Sequence, residues 1–335
     1  MDREQEEMQF LGLFGIYAEA YKVVFRWRKI FSKIALSLIL PLSLIFLAHI
    51  ELSHLLKIKV IHTENQLHRA QSEPQKSKKL TDLVWSELAI LWLFNITYFT
   101  FLLIFSLLST SAVVYTIASI YTGREITFKK VMSVVPKVWK RLVVTFLCTF
   151  LAFFAYNLIA LLALTILTMT LGETLIGAVL LILLLIVYIL VFVYMTIIWQ
   201  LACVVSVLED SYGIKAMMKS QELIKGKMPI SIVIFFKLNL SLAAIQLLFY
   251  AHVVHGGWRF GVLHRLGLGM LCLLLLFKLI LFGLVIQTIV YFVCKSYHHE
   301  NIEKSALSDH LEAYLGEYVP LKSKDVQLEQ YEYDA

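Results

Sequence analysis

The chain has 335 residues, of which 59% are hydrophobic and 16% are charged, and its formal net charge is +6 at pH 7. Soluble domains average about 45–50% apolar and about 25% charged residues, and the apolar excess here is concentrated in uninterrupted blocks. These proportions exclude a soluble globular enzyme, a disordered chain and a small disulfide scaffold.

Six apolar blocks are each long enough to cross a membrane. A bilayer core about 30 Å thick requires about 20 apolar residues in a helix. Because the blocks are continuously apolar and do not alternate, we predict helices and not barrel strands. The blocks cover residues 31–50, 86–118, 142–171, 174–208, 229–251 and 266–294. We therefore predict an all-α, polytopic membrane helix bundle, with a six-span domain at 31–294 between segment 1–30 and tail 295–335.

The segments between the spans predict an orientation. Lys and Arg residues are more numerous on the side of the two termini, and a basic excess marks the cytosolic side. We expect both termini in the cytosol, although the basic residues of loop 51–84 oppose this locally. That loop has no apolar period after residue 61, so we predict that it is mobile. An acidic start without a cleavage site argues against a signal peptide, and we expect a multi-pass protein of the endomembrane system, in the ER or plasma membrane.

An amphipathic segment precedes each pair of spans. In the first, residues 10–29, polar and small residues form a narrow helical stripe opposite an aromatic face. The stripe comprises Gly12, Gly15, Glu19, Lys22, Arg26 and Lys29. The aromatic face includes Phe10, Phe14, Tyr17, Tyr21 and Trp27.

The second and third amphipathic segments are residues 126–141 and 211–227. The second has valines on one face and lysines on the other, and Pro136 is expected to kink or split its helix. The third is predicted to place Ile214, Met217, Met218 and Ile224 on one apolar face.

The basic side chains of these two segments predict contact with anionic lipid. A helix with an apolar face and a basic rim lies in the headgroup layer of a membrane. The alternative is that any cytosolic loop between spans is basic and interfacial without recognising lipid. The residues concerned are Lys129, Lys130, Lys137, Lys140, Arg141, Lys215 and Lys219.

Two lysines lie inside predicted spans, where ionisable residues are candidate functional residues. Lys278 lies near the middle of the sixth span, and Lys237 lies in the fifth, nearer the cytosolic side, where it can snorkel. Lys278 is expected to contact a carbonyl group or a polar side chain such as Gln287, Asn239 or Gln246, or to bind an anion or a lipid headgroup. Asp and Glu are absent from 88–124, 142–172, 174–208 and 229–299, which argues against a proton-coupled carrier or cation channel.

No motif predicts catalysis. The chain has no nucleophile elbow, phosphate-binding loop or zinc-protease motif, and its four cysteines have no metal-ligand spacing. We expect no cofactor and no metal. The alternative is a membrane-embedded lipid enzyme that uses His298, His299 and Glu300, which follow the last span.

The tail from residue 295 is acidic, and residues 302–315 are expected to form a short helix. Such a tail is expected to bind the basic segments of its own chain or a protein partner; no nucleic acid is expected.

Three stretches resemble a known family: YTGREITFKKVMSVVPKVWKRL (121–142), VLEDSYGIKAMMKSQELIKGK (207–227) and CKSYHHENIEKSALSDHLEAYLGEYVPLK (294–322). They resemble a land-plant family of uncharacterised six-span transmembrane proteins. The chain is distantly similar to bacterial membrane domains that are sometimes fused to a glycerophosphodiester phosphodiesterase. The resemblance implies a fold and a membrane setting, and it implies no catalytic residue.

The sequence thus favours a non-enzymatic endomembrane protein that organises lipids or partner proteins through its basic segments and acidic tail. The alternative is a transporter or channel for a lipid or an organic anion that uses Lys278.

Overall fold

The computed structural model describes residues 8–69, 74–123, 126–172, 174–255 and 261–298. Within these ranges the chain is almost entirely helical and contains no β-strand. The helices are α1 (Leu13–Arg26), α2 (Arg28–Ile34), α3 (Leu40–Arg69), α4 (Pro74–Tyr121), α5 (Phe128–Leu171), α6 (Leu175–Leu208), α7 (Ile214–Leu223), α8 (Met228–Phe249) and α9 (Val262–Tyr297). Two π-helical turns, Ala35–Ile39 and Tyr250–Val254, connect α2 to α3 and extend α8.

Among the described residues, six helical stretches are long and apolar enough to cross a membrane, and each covers one of the predicted blocks to within one residue. The first is Arg28–Arg69, which runs through α2 and α3, and the fifth is Met228–Val254, which combines α8 with its π-helical turn. The other four lie in α4, α5, α6 and α9. The predicted all-α, multi-pass fold class is confirmed.

The prediction of a mobile loop at 51–84 is wrong. Helix α3 continues to Arg69 and α4 begins at Pro74. The two helices pack against each other over this stretch, where Val60, Thr63 and Glu87 are buried. At about 1.5 Å per residue, residues 51–69 alone extend the hairpin by about 28 Å. Packing between the two helices thus stabilises a segment whose own pattern is weak.

Pro136 does not split the second amphipathic segment. Helix α5 runs unbroken from Phe128 to Leu171 with Pro136 inside it. Proline removes one backbone hydrogen bond, but Val134, Val135 and Val138 around it are buried in the protein core. This burial offsets the lost bond, so the segment forms the first turns of the third span's helix.

The buried core is concentrated at one end of the bundle, which we call the packed end. It is formed by α1 and α7 with the last turns of α4, α6 and α9 and the first turns of α5. Away from this end, the α5–α6 hairpin leaves most of its apolar side chains exposed, as lipid contact requires. Fully buried residues of the packed end include Ile16, Ile117, Val134, Val204 and Phe292.

Helix α1 has three faces, and the predicted polar stripe is wrong at Glu19. Ile16, Glu19, Ala20 and Val23 are buried, and α1 packs on α9. The basic side chains of the stripe remain exposed on a second face. A third, outward face carries the aromatic side chains Phe14, Tyr21 and Phe25, and Phe10 lies just before the helix; all four are more than 60% exposed.

The apolar face predicted for α7 is also partly wrong. The helix buries Ala216, Ser220 and Leu223. Ile214 and Met218, four residues apart on one helical face, stay exposed. Small residues make the closest contact because α7 lies directly against α5 and α6.

Candidate functional site

Lys237 and Lys278 line one cavity between α8 and α9, with Tyr17 of α1 at its edge. The cavity has a volume of about 580 Å³ and its remaining wall is mainly apolar, with Leu238 and Phe282 among its residues. No Asp or Glu lines it. We call this cavity the lysine groove.

Helical spacing explains why the groove combines these side chains. On α8, Lys237, Ser241 and Ile245 are each four residues apart and therefore share one face. On α9, Lys278 and Phe282 share a face in the same way. A Cβ atom added to Gly283 would lie 3.9 Å from Leu238 Cδ1, so Gly283 is level with Leu238. Lys278 is five residues from Gly283 along α9, and thus about 8 Å deeper in the bundle than Lys237.

Neither lysine of the groove pairs with a carboxylate among the described residues. Lys237 Nζ lies 5.3 Å from the ring centroid of Tyr17, which supplies a cation–π contact. No hydrogen bond among the described residues joins Lys278 to its predicted partners Gln287, Asn239 and Gln246. The amide nitrogens of Asn239 and Gln287 donate to the carbonyl oxygens of Phe235 and Gln200. The groove is therefore lined by two lysines without a carboxylate of the described residues beside them.

A different pair of lysines surrounds Glu209, directly after α6. Lys219 Nζ lies 2.8 Å from Oε2 of Glu209, and Lys295 Nζ lies 2.8 Å from its Oε1. Tyr291 donates its hydroxyl to Oε1 at 2.6 Å. We call these four residues the Glu209 cluster. Burial acts to raise the pKa of Glu209, but hydrogen bonds from Lys219, Lys295 and Tyr291 outweigh it and lower that pKa below its ordinary value.

The turn after α6 is fixed on α5 beside this cluster. Arg141 Nη1 lies 3.2 Å from Oδ1 of Asp210. The backbone N–H of Gly213 donates to Thr145 Oγ1 at 2.9 Å. Gly213 has φ = +63°, a backbone conformation that disfavours other residues. Arg141 and Lys219, both predicted to contact lipid, thus form ion pairs within the protein.

The other basic residues predicted to contact lipid are exposed. They lie at the packed end, on the first turns of α5 and on α7. Their side chains point away from the core because the buried valines of α5 occupy the opposite face. These residues are Lys129, Lys130, Lys137, Lys140 and Lys215.

His298 has a structural position at the end of α9. Its Nε2 lies 3.1 Å from the carbonyl oxygen of Leu223 and 3.0 Å from that of Lys225, so it donates to the carbonyl groups that end α7. His299 and Glu300, the other members of the alternative enzyme site, lie outside the described residues, as does most of tail 295–335. Among the described residues, no group of three His, Cys, Asp or Glu is placed to hold a metal ion.

The Glu209 cluster was not predicted from the sequence. Its only signal was that Glu209 and Asp210 form the one adjacent acidic pair between residues 126 and 299, directly after a long apolar span. Their partners are up to 86 residues away in sequence.

The comparison with protein families gives one match. Residues 1–331 match the family described as Domain of unknown function (DUF8558). No curated protein and no solved structure matches the chain. The resemblances to a plant family and to bacterial phosphodiesterase membrane domains stay predictions.

Proposed function

The chain belongs to this family of unknown function, and we propose that it is a non-enzymatic membrane protein that organises anionic lipids. The observation that supports this proposal is the lysine groove, in which two ammonium groups share one cavity without a carboxylate among the described residues.

The two lysine charges of the groove favour an anionic occupant. An ammonium group in an apolar environment is costly unless an opposite charge or polar groups compensate it. Lys237 can reach the membrane surface by snorkelling, but Lys278 lies about 8 Å deeper. A phosphate group bound between the two lysines would place a negative charge within reach of both.

The apolar walls of the groove favour an occupant with acyl chains. The groove is apolar apart from its two lysines, Ser241 and Tyr17, and ligand sites combine apolar walls with a few polar groups that fix orientation. The walls suit acyl chains and the ammonium groups suit a phosphate. We infer that the occupant is an anionic phospholipid whose headgroup lies between Lys237 and Lys278.

We propose that the packed end faces the cytosol. Its exposed lysines on α5 and α7 suit the anionic surface of a cytosolic leaflet. The aromatic face of α1 suits the boundary between headgroups and acyl chains. These features support an endomembrane or plasma-membrane setting, with the acidic tail available to a protein partner.

Lipid analysis of the purified protein tests the proposal. The protein is extracted into native nanodiscs, and co-purified lipids are quantified by mass spectrometry for wild type and for Lys237→Leu/Lys278→Leu. We expect an anionic phospholipid that is enriched in wild type and depleted at least several-fold in the variant. Lys78→Leu/Lys79→Leu, which removes two exposed lysines of α4 far from the packed end, is the matched control and should keep the enrichment. Equal lipid profiles in all three proteins would refute the proposal.

A second candidate function is transport of a lipid or an organic anion. The depth of Lys278, in the middle of α9, favours it. Reconstituted protein would then move an anionic substrate across vesicle membranes, and Lys278→Leu would change the rate. If anionic lipid binds but no flux occurs across a panel of lipids and anions, the organising function stands and transport does not.

A further inference from the structure

A second pocket lies between α3, the π-helical turn after α8 and α9. Its volume is about 350 Å³. Arg265 Nη2 lies 3.5 Å from Oε1 of Glu51, and Arg265 Nε donates to the carbonyl oxygen of Val253 at 2.9 Å. We call it the Arg–Glu pocket. It is separate from the lysine groove, with which it shares no lining residue.

The Arg–Glu pocket is polar at one end and apolar at the other. Glu51 follows the apolar block of α3, and Arg265 precedes the apolar block of α9, so both charges lie at the membrane surface opposite the packed end. Leu44 and Leu47 of α3 and Leu273 of α9 line the part that extends into the bundle. This gradient matches a phospholipid, with its headgroup at the surface and its chain toward the membrane centre.

The polar end has unused hydrogen-bonding capacity of both kinds. Oε2 of Glu51 is buried and has no hydrogen-bond partner among the described residues. A guanidinium group carries five N–H donors, and the contacts to Glu51 and Val253 leave donors available on Arg265. A buried carboxylate oxygen without a partner is costly, so a ligand that donates to Glu51 while it accepts from Arg265 would satisfy both.

We propose that the Arg–Glu pocket binds the phosphoethanolamine headgroup of a zwitterionic phospholipid. Its phosphate accepts from Arg265, and its primary ammonium donates to Oε2 of Glu51. Phosphocholine has no N–H group to donate, and phosphoglycerol has no cation to pair with Glu51. This site is independent of the lysine groove and of the proposed function, since the two bind different headgroups with different residues.

Native mass spectrometry with added short-chain lipids tests the assignment. Delipidated, full-length protein is titrated with phosphatidylethanolamine, phosphatidylcholine and phosphatidylglycerol of identical acyl chains. All proteins carry Lys237→Leu/Lys278→Leu, so that the lysine groove does not contribute. We expect phosphatidylethanolamine to bind about tenfold more tightly than phosphatidylcholine, which is the range of one charge-assisted hydrogen bond.

Substitutions then locate the site. Glu51→Gln should abolish the preference for phosphatidylethanolamine over phosphatidylcholine, and it should raise the affinity for phosphatidylglycerol because Arg265 loses its neutralising partner. Arg265→Gln should weaken binding of both zwitterionic lipids. Glu87→Gln is the matched control, since Glu87 also has a buried oxygen without a partner among the described residues, and it should change neither. Equal binding of the two zwitterionic lipids, or a preference that survives Glu51→Gln, would overturn the proposal.

Discussion

The Glu209 cluster and the lysine groove each contain two lysines, and they differ in whether a carboxylate lies beside the ammonium groups. In the cluster, Lys219 and Lys295 share one carboxylate at 2.8 Å each. In the groove, Lys237 and Lys278 line one cavity without a carboxylate among the described residues. The cluster joins α6, α7 and α9, whereas the groove opens between α8 and α9.

This difference separates charges that stabilise the fold from charges that are available to a ligand. Removing one partner of a buried ion pair leaves the other charge uncompensated, which is strongly destabilising. Removing an ammonium group that faces no carboxylate among the described residues leaves no opposite charge of that part of the chain uncompensated. Substitutions in the two regions should therefore have opposite effects on stability and on lipid binding.

The largest expected effect is the loss of stability on Glu209→Gln. The change leaves Lys219 and Lys295 without their common carboxylate, and we expect the free energy of unfolding to fall by about 3 kcal/mol. Thermal unfolding in detergent measures it. Asp210→Asn is the matched control: the Asp210 side chain is 81% exposed, and exposed ion pairs contribute about 1 kcal/mol or less. Equal losses of stability in the two variants would show that the Glu209 ion pairs stabilise the fold no more than the exposed Asp210 pair.

The next largest effect is the change in stability of the lipid-free protein on Lys237→Leu/Lys278→Leu. Two ammonium groups in an apolar groove are replaced by side chains that match its walls, so stability should stay constant or rise by up to about 2 kcal/mol. The thermal unfolding midpoint of delipidated protein measures it. A clear loss of stability would mean that the two lysines have a structural role instead.

A smaller, gradual loss of stability is expected as the pH falls. The pKa of Glu209 is lower in the folded protein than its ordinary value, so the folded state favours the ionised form. The stability from this group is therefore complete above the ordinary pKa of glutamate, about 4.3, and is lost as pH falls through the lower, folded pKa. The unfolding midpoint should fall more steeply below that pH in wild type than in Glu209→Gln. Parallel curves for both proteins would contradict the assignment.

The smallest effect on stability is expected from the exposed lysines on α5, which act on lipid recruitment. Reversing charge at Lys129, Lys130, Lys137 and Lys140 should lower the enrichment of anionic lipid around the protein, because each basic residue near an anionic surface contributes about 1 kcal/mol. The lipid composition of nanodiscs at low and high salt measures this change. The effect should disappear at high salt, whereas lipid in the lysine groove should be retained. An unchanged composition at low salt would show that these lysines do not attract lipid.

The membrane helices could be predicted from the sequence because 20 apolar residues in a row have few alternatives to a spanning helix. The features that could not be predicted depend on tertiary contacts. Residues 51–69 and 74–84 are helical because α3 and α4 pack together, and Glu19 is buried because α1 lies on α9. The periodicity of one segment does not reveal either partner.

Only part of the candidate site could be predicted from the sequence. Lys237 and Lys278 are recognisable as charged residues within apolar blocks. Their common groove results from the antiparallel packing of α8 and α9, which the sequence does not show. Glu51 and Arg265 are more than 200 residues apart in sequence, and nothing local to either residue indicates the other.

The most direct test of the lysine groove is the stabilisation of delipidated protein by added lipid. A ligand that binds only the folded state raises its stability by about 2.7 kcal/mol at a concentration of 100 times Kd. Thermal unfolding is measured with phosphatidylglycerol and with phosphatidylcholine for wild type, Lys237→Leu/Lys278→Leu and the control Lys78→Leu/Lys79→Leu. We predict that phosphatidylglycerol raises the unfolding midpoint of wild type and control well above the value in phosphatidylcholine, and that the groove variant shows no such difference. The same phosphatidylglycerol shift in the groove variant would contradict the account.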